Sequence, residues 1–206
     1  MHKGVILLIK ADNKEDARTK ADSFMERYEN DVWDWYCIGG RWSGELNKNK
    51  DKFFELVDKK WPRDKESFGR SYDWIEKHLK EFQEIWESLG ETSKNPYSRD
   101  TFISRDYNTV YEDNIMKASE CVEIIKSWFK DIKEEAEENW KKAEVSRKEE
   151  KEKQAYPMSG YYANKYHKCV SDYFSFDSNI FDIENESNYI PEDLSEYFAI
   201  MVDMHN

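Results

Sequence analysis

The pattern of apolar residues predicts an α+β fold: a ferredoxin-like antiparallel sheet of βαββαβ order carrying a large helical insertion. Three observations predict it. Continuous apolar runs lie near both ends, at residues 3–10 (KGVILLIK) and 197–204 (YFAIMVDM), and suit central strands buried on both faces. Between residues 31 and 46 (DVWDWYCIGGRWSGEL) apolar and polar residues alternate about a Gly-Gly pair. From residue 51 to 169 the apolar spacing becomes that of helices. The first and last strands of such a sheet lie side by side, as the two terminal runs require. At 206 residues the chain fits one domain, with an α+β core at 1–50 and 170–206 and the insertion at 51–169.

Each element has its own signal. After the first strand, Asp12 or Asn13 caps a helix whose stripe is Ala17, Ala21, Phe24, Met25 and Tyr28. Gly39 and Gly40 supply the positive φ angles of a two-residue hairpin turn. Pairing outward from that turn sets Ile38 opposite Arg41, Cys37 opposite Trp42, and Trp35 opposite Gly44. One face then carries Trp33, Trp35, Cys37, Trp42 and Leu46; the other carries Asp34, Tyr36, Ile38, Arg41, Ser43 and Glu45. A short helix over 52–59 ends before Trp61-Pro62, and an apolar stripe over 74–89 stops at Gly90. Residues 91–113 read as loop, either throughout or around a short extended piece. Ser119 caps a long helix with the stripe Val122, Ile125, Phe129, Ile132, Ala136, Trp140 and Ala143, laced by pairs such as Glu138 with Lys142. The end of that helix, 145–153, has little apolar stripe and is expected to project or fray. A further helix over 159–173 and a strand or irregular loop over 175–183 lead to the last strand.

Composition narrows the function classes. Hydrophobic residues are 38% and charged residues 37% of the chain, but aromatics reach 16%, which argues for a folded protein rather than a disordered one. The net charge of -12 argues against direct nucleic-acid binding, which needs a positive stripe. After Lys168 there are nine acids and no Lys or Arg. This tail is either a solvated surface or an acidic face for a basic partner. Cys37, Cys121 and Cys169 are odd in number and far apart, so a reducing cytoplasm is expected. The run at 5–9 is too short for a signal peptide or a membrane span.

No nucleotide-loop, hydrolase-elbow, zincin or paired-cysteine motif is present, and no cofactor or metal is expected. His167 with Cys169 lacks a second ligand pair, and His78 lies on an apolar helix stripe. The first candidate site is Arg41, with Gly39 and Gly40 opening the backbone to a ligand, Tyr36 as a stacking ring and Asp34 behind. The alternative for Arg41 is a structural pair with Asp34 or Glu45. The second candidate is His205, Asp203 and His2, which meet if the terminal strands pair antiparallel and which would serve as a base or as metal ligands; frayed termini are the ordinary alternative. Phe129, Ile132 and Trp140 would serve a homodimer contact or pack on the 74–89 helix.

The segment DWYCIGGRWSG resembles a motif of uncharacterised phage and prophage proteins, seen as DWYxIGGRWSG near the N-terminus. Those proteins also resemble this chain in the ending AIMVDMHN and the stretch FDSNIF, and more distantly the chain is similar to phage proteins with a ferredoxin-like domain. The resemblance implies a virus or mobile element as carrier, and thus the host cytoplasm. The function expected is non-enzymatic binding: sequestering a small ligand, or inhibiting a host protein such as a defence factor. Two alternatives stand beside it. One is an enzyme acting on a nucleotide or nucleic-acid end through His205, Asp203 and Arg41. The other is an acidic nucleic-acid mimic using Glu184, Glu186 and Asp193.

Overall fold

A computed structural model describes residues 2–62, 72–97, 114–153, 158–170, 174–175 and 178–206. Their elements run β1 (His2–Lys10), α1 (Lys14–Glu26), β2 (Trp35–Ile38), α2 (Lys50–Lys60), α3 (Tyr72–Lys77), α4 (Leu79–Ser88), β3 (Ile115–Lys117), α5 (Val122–Lys153), α6 (Ser159–Val170), β4 (Ile180–Asp182) and β5 (Tyr197–His205). The fold is α+β around one five-stranded sheet of order β2–β5–β1–β4, with β3 also on β5. No helix among the described residues is long and apolar enough to cross a membrane.

β1 and β5 pair antiparallel over their full length, from Lys10 with Tyr197 to His2 with His205. Both are buried along nearly all of that length, as their apolar runs require. β4 adds to β1 in parallel, and β2 and β3 share the other edge of β5, one after the other. On one face Val5, Leu7, Ile9, Ile200 and Val202 pack under Ala17, Ala21, Phe24 and Met25 of α1. Asn13 caps α1 by accepting a 3.0 Å hydrogen bond from the Asp16 amide. On the other face Ile6, Leu8, Ala199 and Met201 pack under Ile125 and Ala136 of α5, with Trp42, Trp128 and Phe129 at the margin. A satellite cluster of Phe53, Val57, Phe82, Trp86 and Tyr97 joins α2 to α4.

Several expectations are corrected. The Gly-Gly hairpin does not form. Both glycines have positive φ, 80° and 53°, but Gly40–Trp42 turns as a short 3-10 helix, and β2 pairs with β5 instead. The long terminal strand offers a free edge and two buried faces, which outweigh a local turn preference. The predicted faces are therefore rearranged: Trp33 packs on the α1 side, whereas Trp42 and Leu46 pack on the α5 side. Without that hairpin the sheet has the expected first-and-last neighbours but not a βαββαβ ladder. The second strand on that edge of β5, β3, falls inside the segment read as a helical insertion. The 74–89 stripe is two helices broken at His78, whose Nδ1–H donates to the Trp74 carbonyl at 2.7 Å. The long helix begins at Val122, after a 3-10 turn over Ala118–Glu120, so Ser119 is not its cap. It continues to Lys153, and its stripe packs on the sheet and on α6, where Trp140 meets Tyr166 at 5.0 Å, rather than on the 74–89 helices. The side chains of Ile132 and Cys169, and residues 98–113, 171–173 and 176–177, lie outside the described residues.

Candidate functional site

One end of the sheet, on the α5 side, carries polar groups where the rest of that face carries the core. Alternate residues of a strand share a face, and neighbouring strands place paired residues in rows. The outermost row is His2 on β1, His205 on β5 and Trp35 on β2. The next row in, about 7 Å along the strands, is Gly4, Asp203 and Cys37. The three rings of the outer row touch one another. His2 meets His205 edge to face at 4.8 Å, Trp35 lies parallel to His205 at 5.6 Å, and His2 meets Trp35 at 5.3 Å.

Each imidazole is held by a carboxylate. His2 Nδ1 lies 3.0 Å from Asp203 Oδ1, and His205 Nδ1 lies 2.8 Å from Asp34 Oδ1. An ionised carboxylate only accepts, so in both rings Nδ1 carries the proton. The Nε2 atoms have no partner among the described residues. Asp203 is 1% exposed, and its second oxygen accepts from the Arg41 amide at 3.0 Å. A buried carboxylate needs such partners to stay charged. Asp34 is 59% exposed, and the His205 hydrogen bond holds its carboxyl below the ordinary value. Burial, helped by the Asp203 charge, pushes the Cys37 thiol up to about 12. Among the described residues no group of three or more His, Cys, Asp and Glu side chains is arranged to hold a metal.

The turn after β2 is shaped to reach Asp203. A Cβ on Gly40 would come within 2.5 Å of Asp203 and 2.7 Å of the Cys37 sulfur, so only glycine lets the backbone this close. Asn114, fully buried, braces the turn by accepting from the Gly44 amide at 3.2 Å. Trp42 lies over Gly4, whose missing Cβ makes room for the indole.

The two candidate groups of residues are thus sorted anew. His2, Asp203 and His205 come together, and they do so in a paired ladder rather than as frayed ends. Asp34 joins them through His205 instead of standing behind Arg41. The Arg41 side chain is exposed and has no partner among the described residues; Glu45 pairs with Lys50. Tyr36 is not beside it. Its ring packs on the α1 side, with its hydroxyl 3.4 Å from Asp22, so it is no stacking platform for a ligand at Arg41. Gly39 and Gly40 are buried against Asn114 and Asp203, which closes their backbone to a ligand. The acidic tail is no continuous face either, because Asp182 and Asp203 are buried and bonded. Trp35 and Asn114 were not singled out by the sequence. The register of β2 on β5 selects Trp35, and a sequence shows no such register until the strands are paired. The chain matches no protein-family model, no curated protein and no solved structure.

Proposed function

We propose that the protein is a binding protein that holds a small phosphorylated ligand against the imidazoles of His2 and His205. The observation that carries this reading is the pair of carboxylate-held imidazoles, 4.8 Å apart, with both Nε2 atoms uncommitted. An imidazole whose Nδ1–H is given to a carboxylate offers its other nitrogen outward. When the rings are protonated, both Nε2–H groups donate to one anion, and the carboxylates behind them stabilise the imidazolium charge. Arg41, anchored by its amide to Asp203, adds a cation suited to phosphate. The chain's charge of -12 weighs against a polymeric nucleic acid. The phage-like motif supports a mobile-element carrier, in whose host the protein sequesters the ligand or inhibits a defence factor. Four of that motif's residues, Asp34, Trp35, Gly40 and Arg41, build this site.

The test is a titration with inorganic phosphate, followed through the ring resonances of His2 and His205 by NMR. Both rings are expected to shift saturably. His205→Ala is expected to abolish the effect without unfolding the protein. Rings that do not respond to millimolar phosphate overturn the reading.

A second reading, acid-base chemistry on a phosphate ester of a nucleotide or nucleic-acid end, is favoured by the same ring pair. One neutral imidazole can take a proton while the other, charged, gives one. Turnover of p-nitrophenyl phosphate that is lost in both His2→Ala and His205→Ala would decide for it; binding without turnover decides for sequestration.

A further inference from the structure

We infer, resting on the phosphate reading above, that the ligand is a nucleoside monophosphate whose base enters a cavity beside Gly4. The cavity measures about 250 Å³ and is lined by Lys3, Gly4, Trp42, Trp128, Asp131 and Asn179. Whole-ligand sites usually start at about 300 Å³, so this one suits a single ring system rather than a complete ligand. It lies on the same face as His2. Gly4 is the next residue inward on that face, about 7 Å along the strand. That is a span a ribose can bridge, so the phosphate reaches His2 and His205 while the base occupies the cavity.

The walls have the chemistry of a base site. Trp42 and Trp128 make one wall aromatic, their rings meeting edge to face at 6.0 Å and 80°, and aromatic side chains are the usual partners of bases. Among the described residues, the side chains of Asp131 and Asn179 have no hydrogen bond or ion pair. The Trp42 indole N–H is buried with no acceptor, in contrast to the usual pairing of buried donors. Asn179 is fixed beside β1 by its carbonyl, which accepts from the Ile6 amide at 2.8 Å. Two uncommitted polar side chains and an orphan donor around one cavity give a base edge partners for hydrogen bonds. Asp131 only accepts when ionised, so it selects a base edge rich in N–H donors. Guanine presents two such donors side by side.

The test is isothermal titration of the protein with GMP, AMP, guanosine and inorganic phosphate, with tryptophan fluorescence as a second readout. GMP is expected to bind roughly tenfold or more tightly than phosphate, because stacking of the base adds to the anion contacts. Trp128→Leu is expected to remove that advantage and leave phosphate binding unchanged. Asp131→Asn alters an exposed residue, keeps the fold, and is expected to bring GMP down to the affinity of AMP. If GMP binds no more tightly than phosphate, the base cavity is refuted while the phosphate site stands. If guanosine binds as tightly as GMP and phosphate does not bind, the phosphate reading fails, and the monophosphate assignment fails with it.

Discussion

Asp203 is the group on which the sheet end turns, and its replacement by Ala or Asn separates two of its roles. It accepts two hydrogen bonds while 1% exposed, from His2 Nδ1 and from the Arg41 amide, both at 3.0 Å. A hydrogen bond to a charged group contributes about 1.5–3 kcal/mol, so Asp203→Ala should cost about 3–6 kcal/mol. That is a large part of a typical stability of about 5–15 kcal/mol. Asp203→Asn should behave differently. Its amide oxygen can still accept from the Arg41 N–H, which points its NH2 group at His2. The opposite flip would set two donors face to face. The isosteric change therefore keeps both contacts in weaker, neutral form and should cost only about 1–2 kcal/mol. It must also switch the His2 tautomer, because Nδ1 now faces a donor and has to accept. Urea denaturation measures the first effect. Long-range proton-nitrogen NMR of the imidazoles at alkaline pH measures the second. A His2 ring that keeps its proton on Nδ1 in Asp203→Asn, or an Asn variant as unstable as the Ala variant, would refute the reasoning.

Gly40→Ala places a Cβ within 2.5 Å of Asp203 at a φ of +53°, and should cost about 2 kcal/mol or more by denaturation. Gly90→Ala, also at positive φ but with nothing within 4 Å, should cost about 1 kcal/mol. A similar loss in both would mean that the contact with Asp203 contributes nothing. The Cys37 thiol, pushed up to about 12, should resist iodoacetamide in the native protein at pH 8, and peptide mass spectrometry should find it alkylated only after unfolding. The lowered carboxyl of Asp34 contributes stability that is present above the ordinary carboxylate range and lost as pH falls through its folded value. Asp34→Asn should therefore flatten the acid limb of the stability-pH curve, and an unchanged limb would contradict the His205 pairing. Gly4→Ala should lift Trp42 from the strand and shift tryptophan emission, since its Cβ would sit 2.6 Å from the ring.

The sequence by itself determined the elements whose signal is local and periodic. The apolar runs at both ends predicted two buried neighbouring strands, and β1 and β5 pair along their whole length. The antiparallel pairing expected of them brought His2 opposite His205, with Asp203 nearby, because register follows from hydrophobic pattern when both faces are buried. The α1 cap and stripe, the positive φ of Gly39 and Gly40, and the helical character of the middle were legible for the same reason.

Only the tertiary structure decided where the Gly-Gly turn leads. An alternating stretch around two glycines is satisfied equally by its own second arm or by the free edge of a distant strand, and no local pattern distinguishes them. Pairing with β5 moved Tyr36 to the α1 side, turned Asp34 and Trp35 onto His205, and closed Gly40 over Asp203. Residues 114–117, read as part of an insertion, reached the sheet in the same way. Periodicity is a property of neighbours along the chain, whereas the site is made by groups such as His2 and Asp203, 201 positions apart, whose meeting depends on which edge is left free.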